Sequence, residues 1–393
     1  MLPRVNTGLD RFGKAWPKPL KAAKIGLLVH PASINSAYIH AAELFFRAKK
    51  CRLSALFGPQ HGIKGETQDN MIEWEGAIDL ATGLPVYSLY GKNRKPLPGM
   101  LSDVDAMVID MQDVGARYYT FIWTMALVME ACQEQNKAVV ILDRPNPIGG
   151  EIIEGPVLQP KYASFVGLRS LPVRHGMTIA EVALYLKNIY NPSLALHIIT
   201  MEGWKRRMWF DETGLPWVFP SPNMPTVETA AVYPGMCLLE ATNLSEGRGT
   251  TRPFEIFGAP FIQPNILLKK LKESRLPGVI FRPLYFLPTF QKHAGSLCGG
   301  AQLHVTDRKK FKPFKTAAAI LKSVNELYPK YFSWKQPPYE YEEVHLPIDI
   351  LAGTDRFRRD IDDGIELDAM ETWWNRELSQ FDRKIRNKYL IYS

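Results

Sequence analysis

Apolar residues along this chain come in short runs, each closed by turn residues and followed by a stretch with helical spacing. "KIGLLVHPAS" (Lys24 to Ser33) predicts a strand ending at His30-Pro31, and "AAELFFRAKK" behind it repeats apolar residues at helical intervals. "RLSALFG" (Arg52 to Gly58) predicts a second strand. "DAMVIDMQDVG" (Asp105 to Gly115) predicts another, running into the helix-length "YYTFIWTMALVMEACQEQ", and "KAVVILDRPNPIGG" (Lys137 to Gly150) repeats the plan. "LALHIITM" (Leu194 to Met201) adds one more. This alternation predicts an α/β chain built on a parallel sheet covered on both faces. Thr178 and Glu181 form a T-x-x-E capping box at the head of "HGMTIAEVALYLKNIY", which gives Glu181 a structural task.

The pattern breaks from Trp217 to Pro260, a stretch rich in Pro, Gly, Ser, Thr and Asn. Long irregular segments that stay ordered inside compact proteins carry function. Beyond it, "QPNILLKKLKES", "AQLHVTD", "FKPFKTAAAILKSVNELY" and "AMETWWNRELSQFDRKIRNKYL" return to helix and strand. A boundary near residue 250 is expected, with a larger parallel-sheet domain over residues 1–250 and a smaller α/β domain over 251–393.

Composition narrows the function classes. A chain of 393 residues with 46% apolar residues has ample core, and the 22% charged fraction is that of a globular protein. The longest uncharged apolar run, Tyr118 to Met129, falls short of the ~20 residues of a membrane span. The first residues lack an apolar signal-peptide core, so a cytoplasmic protein is expected. Cys51, Cys132, Cys237 and Cys298 are far apart, which suggests neither disulfides nor zinc. The net charge of +8 lies in separated clusters such as Lys205-Arg206-Arg207, without a nucleic-acid motif, so solvated surface is expected instead of a nucleic-acid partner.

Candidate chemistry gathers where predicted strands run out, the place where ligands bind in open parallel sheets. His30, then Gln60 and His61, then Asp110, Gln112 and Asp113, then Asp143, Arg144 and Asn146 follow successive strands and are expected to form one rim. Gly58 and Gly62 flank Gln60 and would let a ligand approach the backbone. No G-x-G-x-x-G follows the first strand, the G-x-x-x-x-G-K-[ST] loop is absent, and so is G-x-S-x-G. No dinucleotide or other cofactor is expected, and the scattered histidines suggest no metal. Carboxylates, amides, His and Arg in one pocket match the needs of sugar chemistry, in which acids protonate a glycosidic oxygen and polar side chains grip hydroxyls.

"LFGPQHGIKGETQDNM", "DMQDVGARYYTFIWTM", "LDRPNPIGGEIIEGPVL", "FVGLRSLPVRHGMTIAEVA", "PSPNMPTVETAAVYPG" and "EATNLSEGRGTTRPFEIFGAP", in this order, resemble the exo-acting β-N-acetylmuramidase family, long catalogued as a domain of unknown function. The resemblance implies a Rossmann-like domain without a dinucleotide, plus a smaller C-terminal α/β domain. It also implies hydrolysis of the β-1,4 bond that releases N-acetylmuramic acid from the non-reducing end of peptidoglycan fragments. The muramic lactyl carboxylate gives Arg117, Arg144, Arg174 or Arg248 a task, since a guanidinium meets a carboxylate at two points. Glu66, Asn223, Asn243 and Glu246, within or beside the same blocks, are further candidates for holding the sugar. Peptidoglycan lies outside the membrane, so intracellular recycling of imported fragments, or a missing leader, would reconcile substrate and sequence.

One departure matters. Many family members have P-E-H-G where this chain has Pro59-Gln60-His61-Gly62, and an amide cannot donate the proton a carboxylic acid would. Glu154 and Asp113 are the expected acid/base groups, with Glu66 as another choice and with Gln60 and His61 positioning the sugar. Substrate assistance by the 2-acetamido group would need only one acid. The alternative is a sugar-binding or sensing protein that lost its acid at position 60.

Overall fold

The computed structural model describes residues 4–69 and 71–393. Its first lobe holds β1 (Lys24–Leu28), β2 (Arg52–Gly58), β3 (Ala77–Ile78), β4 (Pro85–Ser88), β5 (Ala106–Ile109), β6 (Ala138–Leu142), a separate hairpin of β7 (Glu154–Val157) and β8 (Pro172–Arg174), and β9 (Leu196–Ile199). Seven of these form one sheet in the order β3-β4-β2-β1-β5-β6-β9. It is parallel throughout except where the short β3 pairs antiparallel with β4. The order reverses between β1 and β5, the switch point at which open sheets of this kind leave a crevice.

The strands read as unbroken apolar runs because both faces are covered. Helices α1 (Gly8–Ala15) and α2 (Ala41–Phe46) lay Leu9, Phe12 and Phe45 against Leu27, Val108 and Val140. On the opposite face, α3 (Phe121–Glu134) and α4 (Ile179–Tyr190) bury Trp123, Met125 and Val182. The Thr178–Glu181 capping box forms as the sequence predicts. Glu181 is buried, accepts the Thr178 amide at 2.9 Å and pairs with Arg206, so its work is structural.

The second lobe comprises α5 (Val227–Met236), β10 (Ile256–Ala259), α6 (Pro264–Glu273), β11 (Val279–Phe286), β12 (Cys298–Val305), α7 (Pro313–Leu327), α8 (Pro347–Ala352), α9 (Arg356–Asp362) and α10 (Leu367–Lys384). Its sheet, β10-β12-β11, is antiparallel. Helix α5 approaches α7 so closely that a Cβ on Gly235 would lie 1.9 Å from the Pro313 carbonyl oxygen. One apolar core runs through both lobes, joining Trp123 of α3, Val232 of α5, Phe314 of α7 and Trp374 of α10. That continuity holds the second lobe against the strand ends of the first. Among the described residues, no helix is long and apolar enough to cross a membrane.

Candidate active site

Most of the expected rim is internal wiring. Asp110 and Arg144 form a bidentate pair at 2.6 and 2.7 Å, both buried, and Arg144 also donates to the Ile34 carbonyl. His30 accepts the Gln112 amide on Nε2 at 2.8 Å, which leaves its Nδ1 proton for the Pro220 carbonyl; burial, aided by Arg144, holds it well below the usual histidine range. Gln112 donates to the carbonyls of Asp113 and Pro145, and Asn146 ties Met177 to Ile148. Asp113 takes the Gly115 amide at 2.8 Å and faces His175 at 3.1 Å. Phe210, Leu215 and Pro216, just ahead of the irregular segment, and Val218 at its start close over this end of the sheet and leave a crevice of about 20 Å³ beside Gln112 and Arg144.

The arginines expected to meet a carboxylate are also mostly engaged elsewhere. Arg117 is fully buried and donates to the carbonyls of Pro156, Leu171 and Leu351, and Arg174 donates to that of Ile148. Glu154, the first choice for the acid, turns one oxygen to the Lys315 amide in the first turn of α7, at 2.9 Å. Its environment is helix end and core, and the Gln60 cavity is lined by other residues. Glu66 is exposed. The space beside Gly58 is filled as well, since a Cβ there would lie 2.7 Å from the Trp74 ring.

A different cavity, of about 40 Å³, opens at the end of β2, where the second lobe meets the first. Gln60, His61, Asn223 and Arg248 line it, together with Tyr119, Thr120, Glu240, Tyr339 and Glu340. Glu240 and Tyr339 also line a neighbouring cavity of about 260 Å³ that includes Asn243, Glu246 and Lys292. Asn243 itself braces the second lobe, donating to the Tyr331 carbonyl and accepting the Ser333 amide.

Within the inner cavity the Gln60 amide is fully oriented. Its Oε1 accepts from the Thr120 hydroxyl at 2.8 Å, and its Nε2 donates to the Tyr90 hydroxyl at 3.0 Å and to Glu340 Oε1 at 3.3 Å. Tyr90 in turn donates to Glu340 Oε2 at 2.9 Å. Glu240 accepts from Arg248 and from the Tyr339 hydroxyl, both at 2.7 Å, while Glu246 faces Lys292 at 2.7 Å and Arg248 at 3.4 Å.

The two inner carboxyls are thereby separated in acidity. Burial pushes Glu340 up to about 7 and the charge of Glu240 adds to it, against the hydrogen bonds from Tyr90 and Gln60. Burial also acts to raise Glu240, but Arg248, with Tyr339 and Lys292, outweighs it and holds that carboxyl below its usual value. His61 is pushed down to about 4 by burial and by Arg248, so it is neutral at pH 7. Its Nδ1 proton goes to the Thr67 carbonyl at 2.7 Å, which leaves Nε2 as an acceptor. Among the described residues, no group of three or more His, Cys, Asp or Glu is gathered as metal ligands would be.

Sequence reasoning missed Glu340, Tyr339 and Tyr90. Glu340 stands in "PPYEYEEVH", where nothing local distinguishes it from the acidic residues around it. Tandem prolines ahead of the aromatic and acidic residues were the one available signal of a fixed loop.

Comparison with known proteins covers both lobes. Residues 25–228 match the family model described as Exo-beta-N-acetylmuramidase NamZ, N-terminal, and residues 231–392 match its C-terminal counterpart. A peptidoglycan beta-N-acetylmuramidase NamZ of Bacillus subtilis (strain 168) is 47% identical over 390 residues, which cover 99% of this chain and 92% of that protein. Two crystal structures of DUF1343 family proteins from Bacteroides fragilis NCTC 9343 share the fold over 99% of each chain. One has a TM-score of 0.88 at 34% identity, and the other a TM-score of 0.78 at 27% identity. The chain therefore belongs to the exo-β-N-acetylmuramidase family.

Proposed function

We propose that this protein is a glycoside hydrolase that releases N-acetylmuramic acid from the non-reducing end of peptidoglycan fragments. The observation that carries this reading is a set of buried polar atoms left unpaired on one cavity. Arg248 Nη1 and Asn223 Oδ1 find no hydrogen-bond partner among the described residues, and both residues line the cavity that ends at Gln60. Buried polar atoms without partners cost free energy, so a cavity that collects them suits a polar ligand.

The chemistry of each group matches a part of that sugar. The guanidinium of Arg248 suits the lactyl carboxylate, while Asn223, Gln60 and His61 Nε2 suit hydroxyls and the acetamido group. Exo action would seat the muramyl chain end in this cavity, beside Gln60 and Thr120. Asn243 and Glu246, in the outer cavity, lie where the departing part of the fragment would extend.

Incubation with a chromogenic β-N-acetylmuramide and with muramyl-terminated peptidoglycan fragments tests the reading. Release of N-acetylmuramic acid, with much slower turnover of the corresponding N-acetylglucosaminide that lacks the lactyl group, is the expected result. Binding of the sugar without any release would overturn it in favour of the sugar-binding alternative. Recycling of imported fragments in the cytoplasm is the proposed setting, which fractionation of native protein checks.

A further inference from the structure

We infer that Glu340, delivered by the second lobe, is the proton donor to the glycosidic oxygen. This assignment rests on the hydrolase reading above and adds to it the identity of the acid, which position 60 does not supply.

Three observations converge on Glu340. First, it is the carboxyl that meets Gln60, with Oε1 on the Gln60 amide at 3.3 Å and Oε2 on the Tyr90 hydroxyl at 2.9 Å. Second, both of those partners are neutral. Three other buried carboxylates are paired with arginines instead, Asp110 with Arg144, Glu181 with Arg206 and Glu240 with Arg248. The Tyr90 hydroxyl serves either form of Glu340, donating to the carboxylate and accepting from the acid. Third, Glu340 and Tyr341 both sit at positive φ, +45° and +67°. Two consecutive non-glycine residues in the left-handed region are unfavourable, and such strain persists where the surrounding structure holds a side chain in place for function.

Charge around the cavity completes the assignment. Tyr90, Tyr339, Tyr341, Glu240 and Arg248 are the titratable and charged groups that act on Glu340. Glu240, kept ionised by Arg248, opposes a second negative charge beside it, and burial works in the same direction. Two carboxyls in one site whose environments drive them apart divide into acid and anion. In the reaction, the Glu340 proton moves to the glycosidic oxygen as the C1–O bond breaks and its electron pair leaves with that oxygen. Water adds to C1, and the proton it loses restores Glu340 to the acid.

Leaving-group dependence separates this role from a structural one. Glu340→Gln and Glu340→Asp would be compared with wild type on a β-N-acetylmuramyl disaccharide and on the dinitrophenyl β-N-acetylmuramide, whose leaving group needs no proton. For Glu340→Gln we expect a loss of about 100-fold or more on the disaccharide and of less than about tenfold on the dinitrophenyl glycoside, with Glu340→Asp intermediate and thermal melting unchanged. Equal losses on both substrates, or less than about tenfold on the disaccharide, would overturn the assignment while leaving the hydrolase reading intact. A wild-type protein that turns over neither substrate would overturn both. If Glu340→Gln melts early, the aspartate variant carries the same comparison.

Discussion

Glu154 and Glu340 are each 5% exposed, and burial pushes each up to about 7, yet they stand in different kinds of place. Glu154 faces the first turn of α7, taking the Lys315 amide where a helix end favours negative charge. Glu340 faces an amide and a hydroxyl of the other lobe across a cavity that also holds unpaired atoms of Arg248 and Asn223. A raised carboxyl therefore reports burial alone. What sets Glu340 apart is a tyrosine hydroxyl that can donate to the carboxylate or accept from the acid, an ionised carboxylate close by, and a polar cavity at its side.

Removing the charge that keeps the cavity's carboxyls different breaks the comparison most severely. Arg248→Met would leave Glu240 and Glu246 buried without their guanidinium, and breaking a buried pair on one side costs about 3–5 kcal/mol. Urea denaturation should register that loss, with wild-type stability contradicting the paired geometry. Glu154→Gln sharpens the contrast by probing the other carboxyl. Because the folded Glu154 is raised above its ordinary 4.5 to about 7, the folded state binds its proton more tightly than the unfolded chain does. Its contribution is most favourable below about pH 4.5 and is lost as pH rises towards 7. Relative to Glu154→Gln, wild type should lose on the order of 1–3 kcal/mol across that window, while disaccharide turnover at pH 7 changes by less than about threefold. A hundredfold loss of turnover would return Glu154 to the site.

Gln60→Glu has the smallest expected effect and the most specific one. It sets a second carboxyl within hydrogen-bond reach of Glu340, and two such groups share one proton. The alkaline limb of kcat/KM should move upward by roughly one pH unit; an unmoved limb would mean that position 60 and Glu340 do not interact in solution.

The sheet was legible from the sequence because β1, β2, β5 and β6 are mostly buried and so appear as apolar runs with turns behind them, while the half-buried edge strand β9 still shows as a short apolar run. Local rules also found the α4 cap. Strands β7 and β8 escaped because a hairpin of four and three residues leaves little periodicity. At the site, Gln60, His61, Asn223 and Arg248 were found at strand ends and in the irregular segment, but His30, Asp110 and Gln112 look the same locally and spend their polar atoms on buried partners, on Pro220, Arg144 and Pro145 among them. Glu340 lies 280 positions from Gln60, and only closure of the two lobes brings them together. No periodicity or motif encodes that contact.

The pH dependence of kcat/KM on the muramyl disaccharide, measured for wild type, Glu340→Gln and Glu154→Gln, tests the central assignment most directly. An alkaline limb near pH 7 should be present in wild type and Glu154→Gln and absent from the residual rate of Glu340→Gln. A limb that survives in Glu340→Gln and disappears in Glu154→Gln would contradict it.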